Sequence, residues 1–386
     1  MVPLRYNVRS LAVRKITTLA TAGGIALVVF VFAAAQMLGA GAQKAMVTSG
    51  RPDNVIILRK GSDAELSSAV SNEYKKLGDR PEVAPVNGVG AVGEMVIVIT
   101  GELADGSGGL SNVSVRGTTP EGIAFRPEFK LVSGRMPKPG TNEAMVGKAI
   151  SGRFKGITTG GRFELRRNRP LEVVGEFSAG GASYESEVWG DLDVIRKYVG
   201  RESVVSSARV RLTSPAAFEA YRMAIENDKT FSVKAIREPE YYRKQSEGLS
   251  GFLQGLGTAV AILFSIAAML GAAITMNGAV ANRSKEIGTL RALGFSKLAI
   301  LTSFVLEAIF LAVLGGAVGL VFVMLLSLVS FPVMNFQTFS EVVIGFEATP
   351  EVIISSLVFS VIMGLLGGLF PAIRASRVSP VEAMRA

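Results

Sequence analysis

Two long apolar runs, Leu253 to Ala281 and Leu298 to Phe331, are separated only by the charged stretch NRSKEIGTLRALGFSK, Asn282 to Lys297. Each run exceeds the ~20 residues a helix needs to cross a bilayer core. The charged stretch between them must therefore return to a membrane surface, and the rest of the fold answers to that constraint. Two further runs, Ile16 to Leu38 and Val352 to Ile373, are also long enough to span. The chain is 49% hydrophobic and only 19% charged, too apolar for an ordinary soluble protein. Its net charge of +9 is spread along the chain, which suits a membrane protein with basic edges better than a nucleic-acid binder. Cysteine and histidine are both absent. That excludes disulfides, thiolate metal sites and imidazole chemistry, and no catalytic or metal residue is assigned.

Residues 1–15 place Leu4, Val8 and Leu11 on one helical stripe, with Arg5, Arg9, Arg14 and Lys15 elsewhere and Pro3 in the first turn. This predicts an amphipathic helix on the membrane surface. Residues 16–40 then form a first spanning helix. Ala33-Ala34-Ala35 also resembles a leader cleavage site, but the apolar run outlasts a leader core of about 7–15 residues.

Residues 41–248 are polar and mixed, roughly 200 residues, the size of one or two compact domains. Strands are expected at Asn54 to Arg59, Glu94 to Thr100, Val113 to Gly117 and Ser203 to Leu212, with a Gly-rich loop at Gly101 to Gly109. Phe163 to Leu165 and Leu171 to Gly175 predict a hairpin turning at Arg166 to Pro170. Helices are expected at Ser62 to Leu77, Asp191 to Val199 and Pro215 to Asn227. The whole reads as an extracytoplasmic α+β domain in two lobes. Glu238 to Leu249 leads into the second spanning segment, 249–281, as a stalk helix, or as a loop if Gly248 and Gly251 break it. A third span, 298–331, a short outer loop, 332–351, a fourth span, 352–373, and a tail, 374–386, complete the chain.

Charge sets the orientation. The N-terminal segment, the stretch 282–297 and the tail are basic, whereas 332–351 carries Glu341, Glu347 and Glu351 with no Lys or Arg. Four crossings with both termini inside satisfy these facts, leaving the long polar region outside.

Within 282–297, Ile287, Leu290 and Leu293 recur every third residue and form an expected apolar stripe. Arg283, Lys285, Glu286 and Arg291 lie off it, Gly294 is a natural helix stop, and Ser296 can cap the next helix. On chemistry alone two readings stand: a surface helix gripped by a partner, or a solvated loop with ordinary inside charges.

The stretch Glu286-Ile-Gly-Thr-Leu-Arg-Ala-Leu-Gly294 resembles the signature of the MacB/FtsX-like permeases of ABC transporters. The tail from Pro371 to Arg385 resembles that family's ending, and the plan of one helix, a large outer domain and three helices is similar throughout. Weaker likenesses lie at Asn54 to Gly61, Gly134-Arg135 and Val174-Gly175. The resemblance implies four transmembrane helices plus a MacB-type periplasmic core-like domain, in a bacterial inner membrane. It implies a coupling helix that docks into an ATPase, with Glu286, Ile287, Leu290, Arg291, Leu293 and Gly294 as the matching positions. It also implies a stalk that carries ATP-driven motion outward.

Glu307 is an ionisable residue inside the third apolar run, at a place where the family often has an acid. It is expected to snorkel or to pair with a basic residue such as Arg14 or Arg374. Gly315 with Gly319, and Gly364 with Gly368, have the spacing that allows close helix approach. No stretch matches the phosphate loop G-x-x-x-x-G-K-[ST]. The chain thus departs from relatives with a fused ATPase, and a separate ABC ATPase is expected to bind ATP and Mg. One docking segment against an ATPase pair implies a second permease copy or a paralogue. A periplasmic adaptor, an outer-membrane channel and membrane lipid complete the expected partners, with no nucleic acid.

Two functions follow from the resemblance: export or extraction of an envelope substrate, or FtsX-like signalling that activates a periplasmic cell-wall hydrolase. A third reading, an outer-domain enzyme, has only Asp105, Glu185, Glu187, Asp191, Ser183 and Ser186 to offer, and no spacing among them suggests a catalytic pair. Such isolated carboxylates are expected on a solvated surface.

Overall fold

The computed structural model describes residues 15–126, 128–335 and 338–379. The expected amphipathic segment before Lys15, and the tail from residue 380 onward, lie outside the described residues. The chain opens with α1 (Lys15–Val47), followed by β1 (Asn54–Arg59), β2 (Val70–Ser71), β3 (Ala91–Glu102), β4 (Leu110–Thr118), α2 (Pro120–Ala124), β5 (Lys130–Gly134) and β6 (Glu143–Gly147). Next come β7 (Arg162–Arg166), β8 (Arg169–Ser178), β9 (Glu187–Asp191), α3 (Leu192–Val199), β10 (Val204–Val205), β11 (Ser207–Arg211), α4 (Phe218–Glu226) and β12 (Val233–Arg237). The last part is α5 (Glu238–Asn282), α6 (Ser284–Ala292), α7 (Lys297–Met324), β13 (Ser330–Met334), β14 (Glu341–Gly345) and α8 (Pro350–Ser376).

These elements form two compact units. Among the described residues, the helical unit holds 15–40, Gly251–Val329 and 345–379. The α/β unit holds Gly41–Ser250 and Ser330–Ile344.

In the α/β unit one ten-stranded sheet runs β12-β1-β11-β3-β4-β9-β6-β8-β5, with β7 added to β8. The two expected lobes are thus one continuous sheet. Pairing is antiparallel except for β4 with β9 and β6 with β8. Local sequence explains several elements. Val55, Ile56, Ile57 and Leu58 make β1 apolar on both faces, and all four are buried. In β7, Phe163 and Leu165 point inward while Arg162, Glu164 and Arg166 point out, the period-2 pattern of a half-buried strand. Its hairpin is tighter than expected: Arg166 pairs with Arg169, and Asn168 turns the chain at a φ of 61°. Helix α3 starts where Asp191 accepts hydrogen bonds from the Asp193 and Val194 amides and stops at Gly200, whose φ is 70°.

Other expectations need correction. Ser62 to Leu77 is not one helix but two 3₁₀ turns, Glu65–Ser67 and Asn72–Gly78, around the short strand β2. Serine hydroxyls there bond the local backbone, Ser62 Oγ to Ser67 O and Ser67 Oγ to Ala64 O, and Val70 pairs with Val205. The Ser203 to Leu212 strand is interrupted at Ser206, whose amide donates to Glu94 O at 2.7 Å. Strand β3 runs on through Gly101 and Glu102 into the expected Gly101 to Gly109 loop, and β4 begins directly after it at Leu110.

In the helical unit α1, α5, α7 and α8 are long and apolar enough to cross a membrane, so this is a membrane protein by helix length and composition. Helix α5 runs 45 residues without a break, and Gly248 and Gly251 lie inside it. The loop alternative is thereby removed. The third span, expected over 298–331, is helical only to Met324, and a 3₁₀ turn follows at Leu325–Leu328. The stretch expected as a short loop, 332–351, instead contributes the β13–β14 ladder and folds with the α/β unit up to Ile344. Helix α8 begins at Pro350, capped by Thr349, and continues through Pro371 to Ser376.

Candidate functional site

The charged stretch between α5 and α7 is a short helix with two stops. Arg283 leaves the helical region at φ −110° and ψ 14°, separating α5 from α6. After Ala292 the chain turns at Gly294, whose φ of 92° is strained for residues with a Cβ. Ser296 then caps α7 by accepting from the Ala299 amide at 3.1 Å. Arg283 is buried and holds two acids, Nε donating to Glu286 at 3.0 Å and Nη1 to Glu307 at 3.4 Å. Its guanidinium also lies 5.6 Å from the centre of the Phe304 ring. Ile287 packs among Val280, Ile300, Phe304, Ala372 and Ala375, with Leu290 and Phe295 at the margin.

The expected stripe is therefore split. Ile287 is buried and Leu290 half-buried, but Leu293 lies past the end of α6 and is 73% exposed. Positions six apart on a helix differ by about 120° around its axis, so a three-residue spacing does not stay on one face. Arg291 is turned back on its own loop, Nη1 donating to Phe295 O at 3.1 Å. The outward face carries Lys285, Glu286, Thr289, Ala292 and Leu293.

Glu307 faces Arg283 rather than Arg374, which is exposed, while Arg14 lies outside the described residues. The glycine pairs meet neighbouring helices of the same chain. A Cβ on Gly315 would come 2.7 Å from Ala22 O, and one on Gly319 2.5 Å from Ala26 O, both on α1. On α8, Gly364 and Gly368 face Ala312 and Ala308 of α7 at equally short range.

Inside the α/β unit lies a buried ion cluster that the sequence reading did not anticipate. Glu94 on β3 accepts from Arg116 at 2.7 Å, from Arg126 at 2.8 Å and from Arg209 at 3.0 Å. Arg116 also reaches Glu187 at 2.7 Å and Glu65 at 3.1 Å. Arg209, fully buried on β11, binds Glu238, the first residue of α5. Its other donors meet the hydroxyls of Tyr184 at 2.9 Å and Tyr242 at 3.1 Å. Burial opposes ionisation of Glu94, but the three guanidiniums outweigh it and hold the carboxyl well below its ordinary range. Glu65 is lowered in the same way, against its burial, chiefly by Arg116 and Arg209. Burial pushes the Tyr184, Tyr241 and Tyr242 hydroxyls up.

Glu187, expected on a solvated surface, is thus a buried member of this cluster and also accepts from Trp189 Nε1 at 2.8 Å. The remaining acids have local structural roles. Asp105 accepts from the Ser107 amide, Glu185 from the amides of Ala179 and Gly181, and Asp191 caps α3. Among the described residues no group of acids could hold a metal ion. A signal existed for one member: Glu94 interrupts the apolar run from Ala91 to Ile99, whereas Arg116 and Arg209 lie in strands with other polar residues.

Comparison with known families fits this architecture. The MacB-like periplasmic core domain matches residues 16–228, more than half of the chain. The chain belongs to the MacB/FtsX-like family of ABC transporter permeases. The FtsX-like permease C-terminal domain matches residues 258–380 of this permease, including α7 and the elbow that residues 282–297 form before it. An uncharacterized ABC transporter permease of Methanocaldococcus jannaschii is 27% identical over 57% of this chain and 56% of its own length. The macrolide export ATP-binding/permease protein MacB of Neisseria meningitidis (serogroup A) is 26% identical over 58% of this chain and 35% of its own. The permease thus spans about half or less of the curated relatives it matches. A solved extracellular domain of the transporter YknZ, from Gram-positive bacteria, aligns over 47% of this chain and 99% of its own at 15% identity and a TM-score of 0.36. The two matched models together make this chain an ABC transporter permease of the MacB/FtsX type.

Proposed function

We propose that this permease couples ATP hydrolysis by a separate ABC ATPase, which binds ATP and Mg, to motion of the α/β unit. That motion would drive export or extraction of an envelope substrate. The observation that carries this reading is α5. One 45-residue helix, about 70 Å in contour, begins at Glu238 in the α/β unit and ends at Asn282 beside the elbow. A helix is stiff along its axis, so a displacement at one end is transmitted to the other.

In this reading α6 is the handle. Arg283 and Ile287 fix its inner face to the helical unit, and Glu286, Thr289 and Leu293 are available to a docking partner. Ile287, Leu290 and Arg291 then act as supports of the docking helix rather than as contacts. Pairing with a second permease copy or paralogue is supported by α5 as well. Only 17% of its most apolar stretch is buried within this chain, against 33–39% for the other three spanning helices. The basic elbow supports an inner-membrane location with both termini inside, and an adaptor and an outer-membrane channel are proposed as further partners of an export machine.

The test is the partner ATPase reconstituted with the full chain in lipid. Glu286→Lys with Leu293→Asp should abolish stimulation of ATP hydrolysis while leaving the permease folded and in the membrane. Undiminished stimulation by this pair would overturn the assignment of the outward face of α6 as the docking surface.

A further inference from the structure

A connector between two spanning helices needs only enough chain to turn round. Residues 330–344, between α7 and α8, are built otherwise. Their described residues form the β13–β14 ladder and belong to the α/β unit up to Ile344, whereas α7 and α8 belong to the helical unit. Val342 and Ile344 are buried, and Val343 packs against the main core of the α/β unit.

The connector is also held by polar contacts to four places on that unit. Glu341 accepts from Ser111 Oγ at 2.5 Å and forms an ion pair with Arg153, whose Nη2 lies 3.1 Å from Oε1. Asn112 Nδ2 donates to Phe339 O at 2.8 Å, and the Val343 amide donates to Ser186 Oγ at 2.9 Å. Ser111 and Asn112 lie on β4, at the centre of the sheet order, and Arg153 follows β6. Burying a carboxylate is costly unless it is paired and hydrogen-bonded, and Glu341 is both.

We propose that residues 330–344 are a second attachment of the sheet to the membrane helices, latched by Arg153 and Glu341, through which movement of α7 and α8 reaches β4 beside the path through α5. This rests on the coupling reading above. In it, α6 continues into α7 as well as from α5, so one displacement of the elbow feeds both attachments.

The experiment uses the full chain, with its ABC ATPase, in lipid nanodiscs, followed by amide hydrogen exchange. Without nucleotide, Arg153→Glu should raise exchange of residues 338–344 by about two- to fivefold, the range of a partly exposed ion pair. The swap Arg153→Glu with Glu341→Arg should bring it back towards the wild type. Ser111→Ala, which keeps both charges, should give a smaller rise in the same segment and serves if a charge reversal prevents folding. Unchanged exchange in both single variants would overturn the latch.

With ATP, the wild type should change exchange in 110–118 as well as in 330–344. Arg153→Glu should reduce the change at 110–118 by about two- to fivefold while stimulation of the ATPase persists. A full response at 110–118 with the latch broken overturns this inference and leaves the coupling reading standing. A wild type that responds to ATP in neither segment overturns the coupling reading, and this inference with it.

Discussion

Arg209 on β11 and Glu238 at the head of α5 form an ion pair with both side chains out of contact with solvent, so the sheet grips the long helix by its first residue. The same guanidinium binds Glu94 and Glu65, which ties that grip to the centre of the sheet. A buried network of this kind adds little net stability over an apolar core, because desolvation offsets attraction, yet it tolerates the loss of one member badly.

Arg209→Ala should therefore destabilise the α/β unit by about 3–5 kcal/mol, since Glu238 would keep buried charge without its ion-pair partner and Glu94 would lose one of its three guanidiniums. Trp189 is the single tryptophan of the chain and lies in the cluster, with the Arg126 guanidinium 4.9 Å from its ring. Urea unfolding of the full chain in detergent, followed by its fluorescence, measures the loss directly. A change below about 1 kcal/mol would show that the pair does not hold the helix.

The pH dependence of the same signal follows from the acids. Glu65 and Glu94 are held below their ordinary value of 4.5, against their burial, by neighbouring guanidiniums. A depressed carboxyl contributes stability above its unfolded pKa and loses it as pH falls through the folded value. With no histidine in the chain, Glu65 and Glu94 stay ionised and the raised Tyr184 and Tyr242 stay neutral from about pH 5 to 8. The melting midpoint reported by Trp189 should be level over that range and drop only below about pH 4.5. A marked fall between pH 7 and 5 would contradict the ionisation states described.

What the sequence disclosed and what it withheld divide by range. The four spanning helices were readable because an apolar run of sufficient length has few alternatives in a membrane protein. Strand β1 was readable from Val55 to Leu58, and α3 from its Asp191 cap and Gly200 stop. The stretch 62–77 misled because its serines bond the backbone locally and its Val70 is claimed by Val205. The ion cluster joins residues far apart in the chain, Glu65 with Arg209 for example, and no local pattern specifies such a meeting. For the elbow, the motif located the helix, but which side chains face outward depended on Arg283 and Phe304 in the fold.

Glycine substitutions should separate packing positions from open ones. Gly319→Val on α7 would press against Ala26 of α1, and overpacking of this kind costs about 1–3 kcal/mol. Gly271→Val and Gly278→Val on α5 meet nothing within 4 Å and should leave the detergent melting temperature nearly unchanged. Size-exclusion thermostability of the three variants compares them under one condition. Equal losses at all three positions would argue against a tight α1–α7 contact.

The last prediction concerns Glu307, an acid in a spanning helix that invites a transport role. Its pairing with Arg283 at 3.4 Å points instead to a brace that fixes the root of α6, since the same arginine also holds Glu286. If so, Arg283→Met should destabilise the helical unit more than Glu307→Gln does, because the arginine serves two acids. The double variant should fall short of the sum of the singles by about 0.5–3 kcal/mol, as expected for residues in contact. Glu307→Gln should also retain ATPase stimulation, since a neutral amide can still accept from Arg283 and keep α6 in place. Additive losses in thermal unfolding would dissolve the brace, and loss of stimulation in a folded Glu307→Gln variant would return this carboxylate to the transport cycle.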